Sequence, residues 1–159
     1  MKLLIVCDPE EGTATELCLF LKAEAEKMNR RVVLLNAESH MRSPIAFDAA
    51  IVAATTHGKG YGPVVTNYLS LFKDELTGMP TLFLSVYNCL DENNLIVPKE
   101  KQSIPSNYLL KIGLVPQYIF QTAVGSKLQE NKYVALADWP KIKIVLQQFL
   151  IRNDVMMAG

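Results

Sequence analysis

The sequence predicts an α/β fold: a three-layer, doubly wound, five-stranded parallel sheet with strand order 2-1-3-4-5. Three observations lead there. Short apolar runs recur along the chain, several continuous rather than alternating, which is the pattern of parallel strands covered on both faces. Helical periodicities lie between them. The chain has 159 residues, 50% hydrophobic and 20% charged, which suits one domain with a sizeable core and excludes disorder. Residues 1–159 read as a single domain, with no repeat, low-complexity tract or linker.

The expected strands are Leu3–Cys7, Arg31–Leu35, Ala49–Ala54, Thr81–Val86 and Tyr118–Val124. After the first, Thr13-Ala14-Thr15-Glu16 has the form of a capping box, with Thr13 as N-cap. Leu17, Leu21, Ala25 and Met28 then recur at helical spacing and should face the sheet. Pro63 opens the next helix, with Val64, Tyr68, Leu71 and Phe72 as its apolar residues and an end near Gly78. Ser106–Ile112 reads as a short helix stopped by Gly113. Asp138 before Trp139-Pro140 starts the last helix, whose stripe is Ile142, Val145, Leu146 and Phe149. The order is therefore strand then helix, repeated about five times.

Composition excludes several functions. Sixteen Lys and Arg balance sixteen Asp and Glu, which argues against a general nucleic-acid binder and a polybasic membrane-surface protein. The balance is uneven along the chain. Asp8 to Glu26 is acidic, and the chain beyond Lys99 is basic. Apolar runs such as Ala49–Ala54 are far short of the roughly 20 residues of a transmembrane helix, so no transmembrane segment is expected. The opening run reaches Asp8 too soon for a signal peptide, so the expected location is cytoplasmic. Cys7, Cys18 and Cys89 make an odd, widely spaced set with no metal spacing. They read as three reduced thiols, the first two in the core. His40 and His57, with no third ligand, give no metal signature.

In a doubly wound sheet, ligands sit beyond the carboxyl ends of the strands at the switch in strand order. That selects the loops Asp8–Thr15, Thr55–Gly62 and Asn88–Pro98. In the middle loop, Gly58, Gly60 and Gly62 allow close approach, Tyr61 offers an aromatic face, and His57 and Lys59 offer donors. In the third loop, Cys89 is a weak nucleophile candidate, because Asp91 and Glu92 nearby disfavour its thiolate. A receiver-type phosphoacceptor is disfavoured, because the third strand ends Ala53-Ala54-Thr55 without an Asp and no Lys follows the fifth strand until Lys127.

The residues Leu4-Ile5-Val6, Gly12-Thr13, Glu16, Thr55, Gly60-Tyr61-Gly62, Met79-Pro80, Ser85-Val86 and Asp138-Trp139 carry a family pattern. In these the chain resembles the flavodoxin-like domain of bacterial menaquinone-dependent protoporphyrinogen oxidases. The resemblance runs nearly the whole chain and is best from Val52 to Val86. It implies a flavodoxin-like fold, an FMN cofactor, and electron transfer with a redox partner protein or a quinone. It implies that Thr55, Thr56, His57, Gly58, Gly60 and Tyr61 form the loop beside the flavin ring, with Tyr61 stacked on it. Asn88 and Cys89 fall near the third loop, and Gly12, Thr13 and Thr15 in the phosphate loop.

The phosphate loop departs from the family. Asp8, Pro9 and Ala14 stand where hydroxyl residues are usual, with Glu10 and Glu11 between them. This leads to the expectation that Asp8 or Glu10 accepts the loop's own N–H groups in place of a phosphate. Two functions follow. One is an FMN-binding redox protein, in its enzymatic form an FMN-dependent oxidoreductase of the protoporphyrinogen-oxidase type. The other is a flavodoxin-fold module that has lost tight FMN binding and serves a protein partner.

Overall fold

The computed structural model describes residues 1–8, 13–37, 42–89 and 94–158, without the side chains of residues 13, 14, 57 and 155–158. In chain order the elements are β1 (Lys2–Cys7), α1 (Thr13–Lys27), β2 (Arg31–Asn36), β3 (Ala49–His57), β4 (Gly60–Tyr61), α2 (Pro63–Leu71), α3 (Lys73–Thr77), β5 (Thr81–Asn88), α4 (Ile104–Lys111), β6 (Tyr118–Gln129), β7 (Lys132–Ala137) and α5 (Trp139–Ala158).

The sheet runs β2-β1-β3-β5-β6-β7, with β4 paired to β3. The pairs β1–β2, β1–β3, β3–β5 and β5–β6 are parallel. The expected parallel order is thus present, since the five expected strands are β1, β2, β3, β5 and β6. Alternation along β1 explains its continuous apolar run. Leu3, Ile5 and Cys7 point to a core shared with α1 and α5. Leu4 and Val6 point to a second core with Val65, Tyr68, Leu69 and Leu109 of α2 and α4. Both faces are covered, so neither set of positions is polar.

The sheet gains two antiparallel strands beyond the five expected. β4 folds back on β3, pairing Thr56 with Tyr61 and His57 with Gly60. β7 pairs with β6 from Val124↔Ala137 to Gln129↔Lys132. Its turn is Glu130-Asn131, both at positive φ (50° and 63°), the backbone of a two-residue hairpin turn. The last unit is therefore strand, strand, helix.

The strand–helix alternation also differs elsewhere. Between β2 and β3 the described residues hold only a 3-10 turn, Pro44–Ala46, capped by the Ser43 hydroxyl, which accepts the Ile45 N–H at 3.3 Å. The helix expected from Pro63 to Gly78 is two, separated at Phe72, where the backbone leaves helical geometry (φ −114°, ψ 26°). Its buried residues are Val65, Tyr68, Leu69 and Phe72, whereas Leu71 is 58% exposed. The stripe follows i, i+3, i+4, i+7 from Val65: Tyr68 and Phe72 are buried as expected, with Val65 and Leu69 in place of Val64 and Leu71.

Helix ends obey local chemistry. Thr13 is already helical rather than the N-cap expected, and the residues before it lie outside the described residues. Gly113 (φ 90°) stops α4 and lets the Leu114 N–H reach the Leu109 carbonyl at 2.8 Å. Asp138 caps α5 as expected, its carboxylate accepting the Lys141 N–H at 3.2 Å.

Cys7 and Cys18 lie in the core as expected, but not as reduced thiols. Cys7 and Cys18 are joined by a disulfide, with Cα atoms 6.4 Å apart. Cys7 ends β1 on the face that α1 covers, and Cys18 lies on the covering side of α1. Opposed burial brings the sulfurs together. Only Cys89 is a free thiol.

Candidate functional site

The parallel strands all end at one edge of the sheet, where the described ends of β1, β3 and β5 lie side by side. β1 lies at the switch, with β2 on one side and β3 on the other. α1 also starts there, and a 15-residue helix presents free N–H groups and positive dipole at its first turn.

Asp8 follows β1 and is only 5% exposed. Its N–H donates to the Ala53 carbonyl at 3.1 Å, extending the ladder to β3 by one rung. Its carboxylate accepts the Thr55 N–H at 3.3 Å. Asp8 therefore accepts an N–H from the end of β3, while residues 9–12 of its own loop lie outside the described residues. Glu10 and Gly12 lie outside the described residues, and Thr13 is described by its backbone alone. Thr15 is exposed on α1. Together Cys7, Asp8, Thr15, Cys18, Leu34 and Asn36 line a cavity of about 170 Å3.

In the middle loop Thr55 is buried, and the Thr56 hydroxyl donates to the Val86 carbonyl at 3.3 Å. Thr56 thus ties the loop to β5 rather than facing outward. His57 ends β3, and Gly58 turns the chain at φ 57°. Tyr61 corrects the expectation of an exposed aromatic face. Its side chain is 8% exposed and belongs to the second core. Its hydroxyl is hydrogen-bonded to that of Ser85. Burial pushes the Tyr61 hydroxyl up to about 12, against the smaller opposing effect of the Ser85 hydrogen bond. The cause of the inward turn is packing: the Tyr108 ring stands edge-on to Tyr61, with centroids 5.2 Å apart and planes at 72°.

Tyr108 also explains Gly60. A Cβ built there would lie 2.6 Å from Cδ2 and Cε2 of that ring. The close approach this glycine permits is to the protein's own side chain. The Tyr108 hydroxyl is in turn bonded to Thr66 of α2. Tyr108 and Thr66 escaped the sequence reading, and Ser85 entered it only through the family pattern. Ser85 alone left a signal, as a hydroxyl in the middle of a buried apolar strand, which needs a partner.

At the third strand end, Asn88 is exposed. The Cys89 N–H donates to the Val124 carbonyl at 2.7 Å, and its thiol lies 3.7 Å from the Ile96 carbonyl. The structure thus gathers Asp8, Thr15, Thr55, Thr56, Asn88 and Cys89 at one sheet edge and places the Tyr61 ring beneath it. No three His, Cys, Asp or Glu among the described residues could hold a metal. No described helix is long and apolar enough to cross a membrane.

Solved structures share this architecture. Rubredoxin oxygen:oxidoreductase from the anaerobe Desulfovibrio gigas superposes on 99% of the chain with TM-score 0.70 and 15% identity. The chain spans 37% of that oxidoreductase. Oxidised flavodoxin 1 from Bacillus cereus gives TM-score 0.61 at 13% identity over 94% of this chain and 97% of that one. Fusobacterium nucleatum flavodoxin bound to flavin mononucleotide gives 0.57 at 11% identity, with 98% of each chain covered. At such identities the likeness establishes the flavodoxin-like fold. No protein-family model and no curated protein matches the sequence.

Proposed function

We infer that this is an FMN-binding electron-transfer protein of the flavodoxin fold, with its flavin at the carboxyl edge of the sheet. One observation carries the reading: α1 opens at the switch point, beside the ends of β1 and β3, where a phosphate meets helix N–H groups. The donor set fits the group at this end. The N–H groups of the first turn and the hydroxyls of Thr13 and Thr15 would hold the phosphate. Backbone of Thr55–Gly60 and of Asn88 and Cys89 would border the ring. Bound there, FMN supplies the one- and two-electron chemistry. The chain's own residues position it: Asp8 fixes the β3 loop through Thr55, and Thr56 fixes the same loop to β5.

The unfavourable part is charge. Two unit charges about 5 Å apart repel by about 3 kcal/mol at an effective dielectric of about 20. A helix terminus typically returns about 0.3–1 kcal/mol. Asp8 therefore weakens phosphate binding, and Asp8→Asn keeps the acceptor for Thr55 while removing the charge. FMN titration followed by flavin absorbance and fluorescence is the test. Wild type should bind, and Asp8→Asn should tighten binding by up to about two orders of magnitude. Equal affinities would remove Asp8 from the site. Absence of binding by both proteins would overturn the flavin reading.

That last outcome would favour the second reading, a partner-binding module without flavin. Its support is specific: the Asp8 carboxylate already occupies the Thr55 N–H, and the Tyr61 ring is in the core. The finer form of the first reading, a quinone-linked oxidoreductase of the protoporphyrinogen-oxidase type, rests on the sequence resemblance. Assay with a quinone acceptor addresses it.

A further inference from the structure

The disulfide is not used by the flavin reading, and it does not depend on it. Its surroundings separate it from an inert crosslink in three ways. First, the cores are large, with Leu3, Ile5, Leu17, Leu21, Ile51, Ile142 and others fully buried around the pair. A domain of this size does not need a disulfide to fold. Second, the pair is not part of a framework, because Cys89 stays free. Third, the bond borders a cavity. Cys7 and Cys18 line the cavity shared with Asp8, Thr15, Leu34 and Asn36. Thr15 and Asn36 are exposed, so the cavity opens to solvent at a polar rim. Of the two residues, Cys7 is the more accessible, at 7% against 1% for Cys18.

We propose that Cys7 and Cys18 form a reversible dithiol–disulfide couple that exchanges with small thiols through this cavity. The junction of β1 and α1 then responds to thiol redox state. A thiolate of the glutathione class attacks the Cys7 sulfur. The Cys7–Cys18 bond breaks, a mixed disulfide forms on Cys7, and Cys18 leaves as a thiolate. A second small thiolate attacks its counterpart sulfur in the mixed disulfide and releases Cys7. Two small thiols are oxidised to one disulfide, and the protein disulfide is reduced to two thiols with the balancing protons. The oxidised form ties the carboxyl end of β1 to α1 across a sequence separation of 11 residues, the stretch that includes Asp8 and Thr15. The reduced form lets α1 move from the strand end without losing either core.

The test uses the full chain in glutathione buffers of stepped oxidised-to-reduced ratio. Thiols are trapped by alkylation, and each cysteine is followed by peptide mass mapping, so Cys89 is scored separately. The expected result is that Cys7 and Cys18 become alkylatable together at one midpoint, the same from either direction. Circular dichroism should stay native, while amides in the first turns of α1 exchange faster after reduction. In Cys18→Ser, Cys7 should form a mixed disulfide with glutathione. Reduction only after adding denaturant, unfolding on reduction, or free thiols in every oxidising buffer would each overturn the proposal. A Cys7 that takes up no glutathione in folded Cys18→Ser would overturn the route through the cavity.

Discussion

Gly60→Ala tests whether Tyr108 occupies the space that the glycine opens. The new Cβ would sit 2.6 Å from two ring carbons and 3.2 Å from Cγ. The ring is not a loose end. It is bonded to Thr66 through its hydroxyl and stands edge-on to Tyr61. Moving it forfeits an edge-to-face pair, about 0.5–1.5 kcal/mol, and a hydrogen bond, about 0.5–1.5 kcal/mol. Against this, Gly60 has no positive φ, so alanine gains about 0.5–1 kcal/mol from reduced chain entropy in a strand. The net expected cost is about 1–2 kcal/mol, or roughly 2–8 °C in Tm for a chain of this size. The sign should reverse once the ring is gone: in a Tyr108→Ala background, Gly60→Ala should be neutral or stabilising by up to about 1 kcal/mol. Urea unfolding of the four proteins gives the coupling energy, expected at about 1–3 kcal/mol. An equal cost of Gly60→Ala in both backgrounds would refute the assignment of Gly60 to Tyr108.

Alkaline stability should reveal the buried tyrosines. Burial pushes Tyr61 and Tyr68 up to about 12, the Glu75 charge adding to it at Tyr68. Their neutral forms stabilise the fold fully below pH 10. Between about pH 10 and 12 the unfolded chain loses these protons first, so stability falls as pH rises, by up to about 1.4 kcal/mol per pH unit per tyrosine. Tyr68→Phe should lower stability at pH 8 by about 1 kcal/mol, through the lost bond to the Arg42 carbonyl, and should flatten the fall above pH 10 in urea titrations. An unchanged alkaline slope would contradict the assignment. In the hairpin turn, Glu130→Asn with Asn131→Gly should raise stability by about 0.5–1 kcal/mol, since both positions have positive φ. A lower urea midpoint would count against that turn geometry.

The parallel strands were legible because burial on both faces leaves continuous apolar runs in β1, β3 and β5. β7 was not, because its turn is Glu130-Asn131 rather than a glycine-bearing pair. The sheet edge that holds the candidate site followed from the strand order, but the direction of Tyr61 did not. Its orientation is set by Ser85 and Tyr108, which arrive from β5 and α4. The cysteine pair did leave a trace. Cys7 shares the parity of Leu3 and Ile5, and Cys18 adjoins Leu17 on the helix that covers them. Reading the thiols from compartment rather than from facing geometry missed it.

β6 is much longer than its parallel partner needs. Pairing with β5 ends at Asn88↔Val124, while β6 continues to Gln129 with only β7 beside it. At about 3.3 Å per residue, Gly125–Gln129 and its return strand rise about 16 Å past that last rung. This two-stranded ribbon stands as a rampart on one flank of the edge where the loops gather. A molecule approaching that edge along the β7 flank meets the exposed Leu128 and Tyr133 with Lys127 and Lys132.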